Sequence, residues 1–201
     1  MNEAQKLKQN ASRYFKNIFE FLLVTRVTGC QGEEISLDEG GDQAAQMILT
    51  VLAGSNKAML IGNGGSAALA SHTHNDLIKS VKVPSLVFTE VPILTALTND
   101  DGYAVAFEQQ VDLWAKPGDL LVVISSSGRS ENILRAAQAA RRHGCCLITL
   151  SGFHPDNPLR ILGDLNFYVP AEDYGYVESV HAVLLHFITD QAIIFKNIKM
   201  R

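Results

Sequence analysis

The chain has 201 residues, 47% hydrophobic and 19% charged, which excludes an intrinsically disordered protein and allows one sizeable core. Its net charge of −4 gives no basic field for nucleic acid or an anionic membrane surface, so neither is expected as a partner. Cys30, Cys145 and Cys146 fit no disulfide framework or cysteine-rich zinc site, residues 1–10 are too polar for a signal peptide, and no apolar run is read as a membrane span; a cytoplasmic location is expected.

Residues 3–26 read as a helix, with Phe15, Ile18, Phe19, Leu22 and Leu23 at helical spacing for a core or a subunit contact. Residues 28–41 read as a polar loop, after which Asp42 caps a second helix running to about Leu52. Ala58-Met59-Leu60-Ile61 is a short buried strand. It leads through Gly62-Asn63-Gly64-Gly65 into an alanine-rich helix that Ser66 is placed to cap. That helix carries His72 and Asp76 one turn apart on one face, with His74 turned away. Further strands are expected at 84–88, 120–124, 146–150 and 165–169, helices at 89–98, 103–114 and 131–142, and a turn at 99–102. A long apolar helix at 176–198 carries Glu178, His181 and His186. The alternation predicts an α/β fold, a parallel sheet covered on both faces, with ligands beyond the carboxyl ends of its strands.

Two strand-end loops lie on that edge. The glycine turn before the first motif helix offers free N–H groups and a favourable dipole to an anion. Ser125-Ser126-Ser127-Gly128-Arg129-Ser130 adds hydroxyls at a second helix start and suits phosphate oxygens without a lysine. Together they point to a phosphate or phosphosugar site, although a serine-rich capping turn alone would look similar. A rival reading takes Gly62–Ala67 as a dinucleotide G-x-G-x-x-A pattern with Glu90 on a ribose; the serine loop is then superfluous, and little chain is left for a substrate domain. Among the histidines, His143 and His154 read as solvated, and His186, set among Val183, Leu184, Leu185 and Phe187, reads as a buried imidazole that needs partners. Glu178 can simply favour the dipole of the last helix.

On Gly62-Asn63-Gly64-Gly65-Ser66, Asn99-Asp100, the serine loop and the histidine-bearing last helix, the chain resembles the sugar isomerase (SIS) domain family, and most closely the phosphoheptose isomerases. The resemblance implies a three-layer, doubly wound five-stranded parallel sheet in flavodoxin-like order. Residues 1–56 would form a helical extension and 57–201 an α/β core of a single domain, with the long last helix used in oligomerisation. It implies substrate contacts from Asn63, Gly64, Gly65, Ser66, Asn99, Asp100 and Glu178, and phosphate contacts from Ser125, Ser126, Ser127 and Ser130. It also implies a zinc site of His72, Asp76, Glu178 and His186, and a homotetramer with sites at subunit interfaces.

Two positions depart from the family pattern: Asp76 stands where the family has glutamate, and Glu178 where it has glutamine. A charged Glu178 suits a divalent ion, but it lies eight residues from His186, about 12 Å along a regular helix. Sharing one ion needs long reach, an irregular helix start or different subunits. The expected reaction converts sedoheptulose 7-phosphate to D-glycero-D-manno-heptose 7-phosphate through an enediol(ate), with Asp76 and His186 as the acid/base pair. The alternatives are an isomerase for another phosphosugar and a non-catalytic SIS module that binds the replication initiator DnaA.

Overall fold

The computed structural model describes residues 10–199, so the predicted helical residues 3–9 lie outside the described residues. Strands β3 (Ala58–Gly62), β4 (Ser85–Val87), β5 (Leu120–Ser125), β6 (Cys146–Ser151) and β7 (Leu165–Tyr168) form the expected parallel sheet in the order β4-β3-β5-β6-β7. Their side chains alternate between two cores. Ala58, Leu60 and Val122 face α2 (Leu37–Ala53), α3 (Gly65–Asp76) and α7 (Tyr174–Lys199). Met59, Ile61 and Val123 face α5 (Ala106–Trp114) and α6 (Glu131–Arg142). Asp119, 1% exposed, fastens the lower ends of β3 and β5 by pairing with the Lys57 ammonium and accepting from the Lys57 and Lys116 N–H groups.

Among the described residues the sheet has seven strands, not five. Within the stretch predicted to be helical and then a polar loop, β1 (Arg26–Thr28) and β2 (Glu34–Ile35) form a hairpin that extends the sheet antiparallel to β7. Strands of three and two residues carry almost no periodic signal. The first helix, α1 (Ala11–Leu23), accordingly ends before Arg26. Helix α2 also starts earlier than Asp42, at a capping box in which Ser36 and Glu39 bond reciprocally. Gly40 and Gly41 read as loop residues but sit inside this helix, because a Cβ on them would run into Val27 and Phe187. Ser66 does not cap α3; it is buried within the first turn, and Gly64, at φ +53°, holds the cap position with no side-chain bond.

The expected turn at 99–102 is the end of a helix, α4 (Val91–Asp101), followed by a 3-10 turn (Tyr103–Val105). Tyr174–Ile198 is, by length and composition, apolar enough to cross a membrane, contrary to the sequence expectation. It packs on α1, α2 and α3 as a core helix.

Candidate functional site

The first parallel crossovers leave β3 in one direction and β5 in the other, so the crevice between their carboxyl ends is the topological switch point. Both predicted loops lie there. They are tied by a reciprocal amide pair: Asn63 Nδ2 donates to Asn132 Oδ1 at 3.0 Å, and Asn132 Nδ2 returns a bond to Asn63 Oδ1 at 3.0 Å. The Tyr103 hydroxyl donates to the same Asn63 oxygen at 2.6 Å. Asn132 and Tyr103 were not among the expected site residues. Asn132 carried a signal, since residues 132, 136 and 140 share the apolar face of α6, where a polar side chain must find a partner. Asn99 borders a shallow depression beside Tyr103, and its amide bonds to Asp100 at 2.8 Å on the exposed end of α4. Glu90, the ribose candidate of the rival reading, is the exposed N-cap residue of α4.

The serine loop divides its hydroxyls. Ser125 Oγ accepts from the Gly128 N–H at 3.2 Å, and Ser127 Oγ from the Arg129 N–H at 3.2 Å. Ser126 is buried, its Oγ enclosed and without a hydrogen-bond partner. Ser130 occupies the N-cap position of α6 but makes no side-chain capping bond. Ser127 and Ser130 are the part-exposed hydroxyls of the loop, beside the N–H groups at the start of α6.

One turn of α3 separates His72 from Asp76, and α7 brings His186 across from the other side. Asp76 Oδ2 lies 3.4 Å from His72 Nε2 and 3.7 Å from His186 Nδ1, and the two rings meet edge to face at 5.0 Å between centroids. All three meet within one chain, so no second subunit is needed to bring residue 76 to residue 186. A π-turn, Leu77–Val81, begins directly after Asp76. His186 is exposed rather than buried; the buried imidazole of α7 is His181, whose Nε2 bonds the Ser151 carbonyl at 3.2 Å. Burial pushes the His181 pKa down to about 4. His74 is half-buried on Ser85, at 2.8 Å, and faces away from His72 as expected; desolvation lowers its pKa. His143 and His154 are not simply solvated: they pair with Asp112 and Asp156 at the surface.

The donor atoms of His72, Asp76 and His186 lie within 4.8 Å of one another. Donors on a tetrahedral zinc ion, at bonds of about 2.0–2.2 Å, stand roughly 3.3–3.6 Å apart. The two carboxylate–imidazole separations, 3.4 and 3.7 Å, are close to this, and two imidazoles and a carboxylate are a donor set of the right chemistry, which small side-chain shifts would draw around one ion. Glu178 does not complete the expected set. The rise along α7 carries it to the start of α3, where a Cβ added to Gly65 would stand 2.5 Å from both of its carboxylate oxygens. A carboxylate thus already faces the helix N-terminus that was expected to receive an anion.

The sequence pattern of the SIS domain matches residues 33–152. A phosphoheptose isomerase of Aliarcobacter butzleri is 36% identical over 159 residues, covering 76% of this chain and 84% of that protein. The chain belongs to the SIS-domain family, on its phosphoheptose isomerase branch. Among solved structures, phosphoheptose isomerase GmhA from Neisseria gonorrhoeae superposes with a TM-score of 0.78 at 28% identity, over 89% of this chain and 95% of that one. A phosphoheptose isomerase from Francisella tularensis gives 0.79 at 25% identity, over 96% and 98%. The SIS family accounts for both strand-end loops, and the dinucleotide reading of the glycine turn is dropped.

Proposed function

We propose that the protein is a sugar-phosphate isomerase that interconverts sedoheptulose 7-phosphate and D-glycero-D-manno-heptose 7-phosphate. The observation that carries this reading is the meeting of His186 with His72 and Asp76 of the helix that leaves the glycine turn, in a chain with two joined strand-end loops and relatives that bear the name phosphoheptose isomerase. Ser127, Ser130 and the start of α6 hold the phosphate and so orient the far end of the sugar. Asp76 and His186 form the proton-transfer pair: one takes the proton from the carbon beside the carbonyl, and the other moves a proton between the two oxygens of an enediol(ate). His72 approaches the same Asp76 oxygen as His186 and steadies it. Zinc held by His72, Asp76 and His186 would supply a Lewis acid for the carbonyl. Both imidazoles are exposed in the single chain, and a neighbouring copy covering them would exclude water, which supports a homo-oligomer, a tetramer by family likeness.

Purified protein is to be assayed on sedoheptulose 7-phosphate with and without added zinc, beside a metal analysis. Turnover is expected, and Asp76→Asn is expected to lower kcat by about a hundredfold or more. Absence of turnover on every ketose phosphate tried would discard the reading. Zinc that remains bound to His72→Ala/His186→Ala would discard the assigned ligands.

A further inference from the structure

The connection between β6 and β7, residues 152–164, lies against the back of the serine loop. The Gly152 N–H donates to the Ser126 carbonyl at 2.9 Å, and the Leu159 N–H to the Gly128 carbonyl at 3.2 Å. Between them sits Asn157, 1% exposed. Its Nδ2 faces three acceptors, the carbonyls of His154 at 2.9 Å and Gly152 at 3.2 Å and the Ser151 hydroxyl at 3.3 Å. That environment sets which way round the amide lies. Its Oδ1 is turned the opposite way, buried and without a hydrogen-bond partner, against Gly128. A Cβ at position 128 would collide with this oxygen, and Gly128 adopts φ +59°. The loop therefore makes its left-handed step where only a Cα hydrogen fits between the main chain and the amide.

We infer that Asn157 is a positioning residue for the phosphate: it shapes residues 126–130 from behind, so that Ser127, Ser130 and the N–H groups of α6 stand in receiving geometry. The inference rests on the proposed reading of the serine loop as a phosphate seat. Asn157 itself is enclosed and does not touch the substrate. A residue that only props up the fold would lower stability and leave the constants of the folded fraction alone. A residue that sets the seat alters phosphate binding specifically.

The test compares wild type with Asn157→Ala, and with Gly128→Ala as a second route to the same loop. In folded Asn157→Ala, the KM for the sugar phosphate and the inhibition constant of inorganic phosphate are expected to rise together by about tenfold or more, with kcat within about threefold. Gly128→Ala is expected to show the same split, and to cost less in the Asn157→Ala background, where the colliding oxygen is gone. Unchanged phosphate constants in folded Asn157→Ala overturn the inference, as does a fall in kcat alone. If Asn157→Ala does not fold, the split in Gly128→Ala decides. If the wild type turns over no sugar phosphate, the isomerase reading fails by itself, and calorimetric titration of inorganic phosphate still decides on Asn157. A wild type that binds no phosphate overturns both.

Discussion

Glu178 shows how one side chain changes the meaning of a loop. From the sequence, the turn after β3 was an anion cradle; in the structure its helix start already faces a carboxylate. Two negative groups a few ångströms apart repel, so on the proposed reading this end of the site receives sugar hydroxyls, which can donate to Glu178, and the phosphate goes to the serine loop. Glu178→Gln should remove that repulsion. Inhibition by a ketose bisphosphate, measured relative to the monophosphate, is expected to tighten by roughly tenfold in the variant, about 1.4 kcal/mol. An unchanged ratio would mean that the carboxylate does not screen the second anion. At this scale the sequence was informative about residue types and poor about orientation. His72 and Asp76 were legible because four residues on a helix is one turn. Which of His181 and His186 lies buried was not legible, because the apolar residues of α7 run nearly all round it and give no single face to read.

At the scale of elements, α7 couples the candidate site to stability. Its His181 is fully enclosed, bonded only through Nε2, and its pKa falls from 6.5 to about 4. The unfolded chain takes up a proton near 6.5 while the folded chain resists until about 4, so below 6.5 the unfolded state binds more protons. The stabilisation is complete above 6.5 and is lost as the pH falls towards 4, by roughly 3 kcal/mol across that window. Denaturant midpoints measured from pH 7 to pH 4 should fall accordingly, and His181→Gln, which retains a donor for the Ser151 carbonyl, should flatten this part of the profile. An equally steep profile in the variant would assign the loss to other groups. Long elements were readable: α6 has the predicted bounds, Glu131–Arg142, and β5 and β6 each extend one residue further than expected. Misreadings fall where local signals compete. The capping box of α2 was masked by two glycines whose purpose is tertiary, close contact with Val27 and Phe187, which no local pattern reveals.

For the whole molecule, the sheet order follows from the βα alternation and right-handed crossovers, and the two strand-end loops fall at the switch point those rules indicate. The antiparallel hairpin of β1 and β2 lay beyond such rules, since pairing on β7 joins residues some 140 positions apart in sequence. The outer face of α1 leaves Phe15 and Phe19 more than half exposed, with Leu23 in line one turn on. A stripe of this kind on the outside of the fold fits the proposed oligomer, in which a second copy covers it. Burying each phenylalanine contributes about 2 kcal/mol, so Phe15→Glu/Phe19→Glu should shift the species seen by sedimentation towards monomer. A wild type that is monomeric at micromolar concentration would remove the proposed assembly but not the His72/Asp76/His186 cluster, which forms within one chain.

The paired amides of Asn63 and Asn132 give the mouth of the crevice a set gape. A ligand entering between β3 and β5 meets walls already braced against each other, and cannot draw one inward without carrying the other. On the proposed reading, the sugar phosphate is therefore received by an opening of fixed width, as a gauge block is received by a set caliper.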